Sequence, residues 1–197
     1  SDMNPNVVYL SVNLAITEAD GTTTKVNEPG PTFDATALDA LAQLLVLESE
    51  FAEWVVLSGS LPPGVPTGFY ADLVRALRPW AGRIAVDTSD APLLALAEQF
   101  PAAAPDLLKP NAEELAQLTG ADPEALEAAA KAGDPSGCLV AATALLERGV
   151  RAVMATLGGS GAVLVTAEGA WHASPPPVTV RSTVGAGDSS VAGYLLA

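Results

Sequence analysis

The chain has 197 residues, and its 49% apolar content suffices for one domain around a sizeable core. Nine basic residues face 23 acidic ones, and the resulting charge of −14 argues against nucleic acid as a partner. No apolar run approaches the ~20 residues that span a bilayer, no cationic and apolar leader opens the chain, and Cys138 has no second cysteine to pair with, which together point to a reducing, cytoplasmic setting.

Residues 7–16 and 22–26 are β-rich and flank the turn Glu18-Ala19-Asp20-Gly21, which predicts a hairpin. A helix is expected over 34–47, where Leu38, Leu41 and Leu45 recur at helical spacing. The run 54–57 suits a strand buried on both faces. Thr67 is placed to cap a helix reaching Leu77. A second buried strand, 84–86, ends at Asp87, and a helix follows over 91–99. Leu107-Leu108 form a short strand before Lys109-Pro110. Helices are expected over 112–118, 123–131 and 139–148, strands over 152–156, 162–165 and 170–173, and a last helix from about Gly187.

Strand and helix alternate from Trp54 onward, which predicts βαβ units, a mostly parallel sheet and helices on both faces. Such folds gather ligands at the carboxyl ends of their strands. The loops 58–64, 87–90, 109–111 and 158–161, rich in small and polar residues, fall at those ends. Trp54, Trp80 and Trp171 are expected to pack cores, and His172 and Cys138 to be structural.

Four segments carry chemistry. In Thr183-Val184-Gly185-Ala186-Gly187-Asp188, small residues allow a tight turn into a helix whose first N–H groups converge on one spot. The positive end of the helix lies there, and Asp188 sits in the first turn. An anion cradle beside a carboxylate fits phosphoryl transfer; an ordinary strand–helix junction would read the same from spacing alone. Asn111 and Glu114 share one face of a helix start, which suits oxygen ligands around a hydrated Mg²⁺ and equally a capping box. Thr156-Leu157-Gly158-Gly159-Ser160-Gly161 is a glycine-rich link between strands, fit for close approach to a ligand or for a plain turn. Ser58 and Ser60 put hydroxyls on a loop stiffened by Pro62-Pro63. A Gly-x-Gly-x-x-Gly directly after an early strand is lacking, which sets a dinucleotide dehydrogenase aside.

These segments, STVGAGDS, KPNAEEL, TLGGSGA and SGSLPPGV, occur in the order found in the ribokinase-like (PfkB) carbohydrate kinases, and the chain resembles that family, in particular its phosphofructokinase branch. The resemblance implies a three-layer α/β/α fold with a mostly parallel sheet, and a small lid-like β segment over residues 1–30 beside a catalytic domain over 31–197. It implies ATP and Mg²⁺ as cofactors. It gives Asp188 as catalytic base, and Gly185, Ala186 and Gly187 as an anion hole. Lys109, Asn111, Glu114, Thr156, Gly158 and Gly161 would border ATP, with Asn111 and Glu114 reaching the metal through water. Ser60 and Thr183 would meet the sugar phosphate. The implied reaction is phosphorylation of the C6 hydroxyl of fructose 1-phosphate to fructose 1,6-bisphosphate. Tagatose 6-phosphate and fructose 6-phosphate are the alternative acceptors, and a truncated, non-catalytic nucleotide-binding fragment is the alternative role.

Family members carry an Arg two residues before the position of Asn13, where this chain has Ser11. They also have an earlier sugar-binding Asp, a Gly-Gly-Lys-Gly-type motif and further segments after the final helix. The chain is therefore expected to be incomplete at both ends and weakly active or inactive alone. An exposed hairpin edge favours pairing, and the resemblance implies that lid strands can mediate a homodimer.

Overall fold

The structure is a computed structural model that describes residues 13–17, 23–27, 30–176 and 185–197. Strands β1 (Asn13–Thr17) and β2 (Thr23–Asn27) pair antiparallel, with Asn13 opposite Asn27. This is the expected hairpin; residues 7–12 and the turn lie outside the described residues.

Among the described residues, six further strands form one sheet in chain order: β3 (Trp54–Ser58), β4 (Arg83–Asp87), β5 (Leu107–Leu108), β6 (Ala152–Thr156), β7 (Ala162–Thr166) and β8 (Gly169–Ala173). β3 to β6 run parallel, because each link between them carries at least one helix. The links from β6 to β7 and from β7 to β8 are short turns, which can only reverse the chain, so these pairs are antiparallel.

The helices are α1 (Ala35–Ser49), α2 (Phe69–Leu77), α3 (Asp90–Ala97), α4 (Ala112–Thr119), α5 (Pro123–Lys131), α6 (Ser136–Glu147) and α7 (Ala186–Leu195). Because the parallel strands are adjacent in chain order, crossovers of one hand place their helices on one face. The packing agrees. Val55, Leu57, Ile84, Val86, Leu108 and Val153 are buried in a single core with residues of α2 to α6. The alternate residues Ala85, Leu107, Ala152 and Met154 point the other way and bury against Val191 of α7. The result is a three-layer α/β/α molecule.

At the amino-terminal edge, the buried Asp106 carboxylate accepts hydrogen bonds from Arg78 Nη1 (2.6 Å) and the Ile84 N–H (2.8 Å), and Arg151 stands 3.2 Å away. One side chain thus ties α2, β4 and the entry to β6 together.

Four expectations are corrected. β3 is not buried on both faces: it lies at an edge of the described sheet and Val56 is 43% exposed. Thr67 does not cap α2; Gly68 takes that position without a side-chain bond. α6 begins at Ser136, one turn earlier than its apolar run suggests, with Pro135 at the N-cap. Trp80 and Trp171 are half exposed rather than packed in the core. Trp54 is partly buried, edge-on to Tyr194, with the Arg83 guanidinium over its ring.

Candidate functional site

Side chains alternate along a strand, so the rows Val56, Ala85 and Leu107 on the α7 face continue one step further as Ser58, Asp87 and Lys109. The row is apolar where α7 covers it and polar where the strands end. Lys109 is 7% exposed, and its Nζ lies 2.9 Å from Asp87 Oδ1.

α7 descends onto this row. Gly185 occupies its N-cap at φ 78°, a left-handed conformation that favours glycine. Among the described residues no side chain caps the helix, and the first intrahelical bond runs from Ser189 N–H to the Gly185 carbonyl (2.9 Å). The earlier N–H groups, including those of Ala186, Gly187 and Asp188, are therefore left without intrahelical partners at the positive end of the helix. A Cβ at Gly187 would stand 3.2 Å from Lys109 Nζ. The first turn of α7 thus lies against the buried ammonium, with the exposed Asp188 in that same turn.

Asn111 and Glu114 form a reciprocal capping box at the start of α4. The Glu114 N–H donates to Asn111 Oδ1 and the Asn111 N–H to Glu114 Oε2, both at 2.8 Å. Burial, together with Asp87 and Asp90, pushes the Glu114 carboxyl above its usual range, against the lowering effects of the Asn111 bond and of Lys109. Asp87, Asp90, Lys109 and Glu114 are thus one electrostatic group. Among the described residues, no three acidic, His or Cys side chains converge tightly enough to hold a metal ion directly.

The raised Glu114 pKa has a testable sign. Its protonated form is the better folded one, so its stabilisation is present at acid pH and lost as pH rises through its folded titration. Glu114→Gln keeps an acceptor for the Asn111 N–H and cannot ionise. Its melting temperature is expected to match wild type near pH 4 and to exceed it at pH 7. A deficit at pH 7 in thermal melts would show that the carboxylate charge stabilises the fold.

Thr156 closes β6 beside Asn111, its N–H donating to the Pro110 carbonyl at 3.0 Å. Residues Gly158–Ser160 form a single 3₁₀ turn, and Gly161 returns the chain at φ 95°. Asn111, Thr156, Gly158 and Gly159 line an open cleft of about 580 Å³, which Lys131 also borders. His172 Nε2 stands 2.9 Å from the Ser160 carbonyl and so braces this turn, a structural role as expected. Burial raises the Cys138 thiol, in keeping with an inert side chain.

The expected residues therefore fall into three groups. Lys109 and the first turn of α7 meet directly. Asn111, Thr156 and Gly158 share the adjoining cleft, with Glu114 in the cap beside it and Gly161 behind the turn, outside its lining. Ser60 is exposed and lines a separate apolar groove with Leu61, Pro62 and Phe69, and Thr183 lies outside the described residues. Asp87 was not singled out from the sequence, nor was Lys131. The available signal for Asp87 was an acidic residue ending an otherwise apolar strand.

The layers and strand order are those of the ribokinase-like α/β/α proteins. Within that fold the chain belongs to the pfkB family of carbohydrate kinases, whose profile matches residues 10–197. It is 37% identical over 186 residues to a 1-phosphofructokinase of Xanthomonas campestris, covering 94% of this chain and 56% of that protein. It is 40% identical over 173 residues to a 1-phosphofructokinase of Rhodobacter capsulatus, covering 87% of this chain and 51% of that protein. The structure of phosphofructokinase-2 from Escherichia coli in complex with fructose-6-phosphate superposes with a TM-score of 0.76 at 32% identity, over 93% of this chain and 56% of that one. The chain spans about half the length of the curated relatives it matches.

Proposed function

We propose that the protein containing this chain is an ATP-dependent sugar-phosphate kinase that phosphorylates the C6 hydroxyl of fructose 1-phosphate, yielding fructose 1,6-bisphosphate. The observation that carries this reading is the glycine-led N-terminus of α7, set against the buried Lys109 with Asp188 in the same turn. In the reaction, the Asp188 carboxylate accepts the hydroxyl proton as the oxygen attacks the γ-phosphorus of ATP. The bond from that phosphorus to the bridging oxygen breaks, and ADP leaves with the electron pair. The N–H groups at Gly185, Ala186 and Gly187 and the Lys109 ammonium hold the negative charge of the transferring group. In a chain of charge −14, such local donors have to overcome the global field.

The donors around the cleft fit Mg²⁺ held through water. Asn111 Oδ1 and Glu114 Oε2 are engaged in the capping box but keep further lone pairs, and Mg²⁺ keeps several of its waters when bound. Asn111 and Glu114 would hold those waters, and the ion would neutralise charge on the nucleotide phosphates. Thr156, Gly158 and Gly161 border the nucleotide in this reading, and Ser60 and Thr183 the sugar phosphate.

The names of the curated relatives support fructose 1-phosphate as acceptor. The fructose-6-phosphate complex of the Escherichia coli neighbour supports fructose 6-phosphate as the second candidate. A homodimer joined through the β1–β2 ribbon is the proposed assembly. Among the described residues, no helix is long and apolar enough to cross a membrane, and a cytoplasmic location is proposed with it.

Coupled ADP-release assays on the full-length protein test the reading. Turnover is expected with fructose 1-phosphate at a kcat/KM at least about tenfold above fructose 6-phosphate and tagatose 6-phosphate, a gap of about 1.4 kcal/mol. Reversal of that order would reassign the sugar, and no turnover with any of the three would refute the kinase reading. The 197-residue chain alone is expected to show little or no turnover.

A further inference from the structure

Lys109 poses a problem of placement that the kinase reading leaves unsolved. Its side chain is 8% exposed, although lysine has a long, flexible stem that readily carries its charge to solvent. It also points at a position of like sign. The first turn of α7 carries roughly half a positive charge, and a Cβ at Gly187 would stand only 3.2 Å from the ammonium. Burying an unpaired ammonium costs several kcal/mol, and repulsion from the helix end adds to that. Something has to hold the lysine there.

Asp87 is the ion partner, at 2.9 Å. The pairing follows from sheet register. Ala85 lies beside Leu107 and Val86 beside Leu108, so the next residues, Asp87 and Lys109, emerge side by side from β4 and β5. Both continue the row that faces α7. Asp87 is itself fixed, since its carbonyl accepts the Gly59 N–H at 2.9 Å. The Gly59 carbonyl in turn accepts the Tyr70 and Thr88 hydroxyls at 2.9 and 2.8 Å. The backbone of Asp87 is thus pinned at the end of β4, and its carboxylate reaches the ammonium from there.

We propose that Asp87 is a positioning residue for phosphoryl transfer, whose carboxylate holds the Lys109 ammonium under the first turn of α7 so that lysine and helix amides grip the transferring phosphoryl group together. The inference rests on the kinase reading and adds a residue to it. Gly187 fits the same account, because any side chain there would press on the ammonium.

The test is a double-mutant cycle in the full-length enzyme. Asp87→Asn is expected to lower kcat about 10- to 100-fold, the scale of a misplaced reacting contact, with the sugar-phosphate KM within about twofold of wild type. Lys109→Met is expected to lose as much or more. The double variant is expected to be no slower than Lys109→Met alone, because one residue acts through the other. Asp87→Glu, which keeps the charge, is expected to recover part of kcat. Wild-type kcat in Asp87→Asn, or losses that multiply in the double variant, would overturn the inference. If Asp87→Asn fails to fold, the double variant, which buries no unpaired charge, carries the comparison with Lys109→Met by itself. Additive losses in an active enzyme remove this inference alone, whereas a wild type that phosphorylates no sugar removes the kinase reading as well.

Discussion

Asp188→Asn in the full-length protein is expected to lower kcat by about a thousandfold, within the range that general-base catalysis contributes, while leaving the KM for sugar phosphate nearly unchanged. The substitution keeps the size and shape of the side chain and removes its charge and its capacity to take a proton. The first-turn amides of α7, the Lys109–Asp87 pair and the Asn111–Glu114 box are all left in place. Asp188 also places a negative charge in the first turn of a helix, worth about 0.3–1 kcal/mol. The melting temperature should therefore fall slightly, by far less than a thousandfold loss of activity requires. Steady-state kinetics beside thermal melts separate the two effects. Near-wild-type turnover would remove Asp188 from the chemistry.

Gly161→Ala is expected to cost about 3 kcal/mol of stability, from left-handed backbone strain and overpacking together. Gly161 sits at φ 95°, and a Cβ there would stand 1.9 Å from the Ala173 carbonyl oxygen. That oxygen belongs to the end of β8, so relief requires the β6–β7 turn to move away from the sheet. The turn is held by the Leu157 N–H donating to the Gly161 carbonyl at 2.8 Å. Gly159→Ala, two residues away, meets open space and is expected to cost less than about 0.5 kcal/mol. Urea unfolding of the pair is an internally controlled measurement. Equal midpoints would show that the turn relaxes around the added methyl. Gly161 is thus required by backbone geometry whether or not a nucleotide lies beside it.

The fold was largely legible because its signals are local. Short apolar runs bounded by polar loops mark β3, β4 and β6, and the helical repeats between them dictate parallel pairing. The capping box at Asn111 and Glu114 was legible for the same reason, since both partners lie within one turn. The start of α6 was missed because Ser136 and Gly137 carry no apolar periodicity, and Pro135 rather than a capping side chain precedes them. The cap of α2 was misplaced by one residue, at a junction where Thr67 and Gly68 are both acceptable caps. Trp80 and Trp171 were misjudged because bulk and hydrophobicity do not say which face of an element is covered.

Sequence by itself determined the order of strands and helices, the polar ends of the strands and the glycine-led start of the last helix. Each depends on residues adjacent in the chain or one turn apart. Only the tertiary structure decided that the buried Lys109 pairs with Asp87. This contact joins positions far apart in the chain, and it is strand register, set by the packing of the whole sheet between its two helical layers, that brings them within hydrogen-bonding distance.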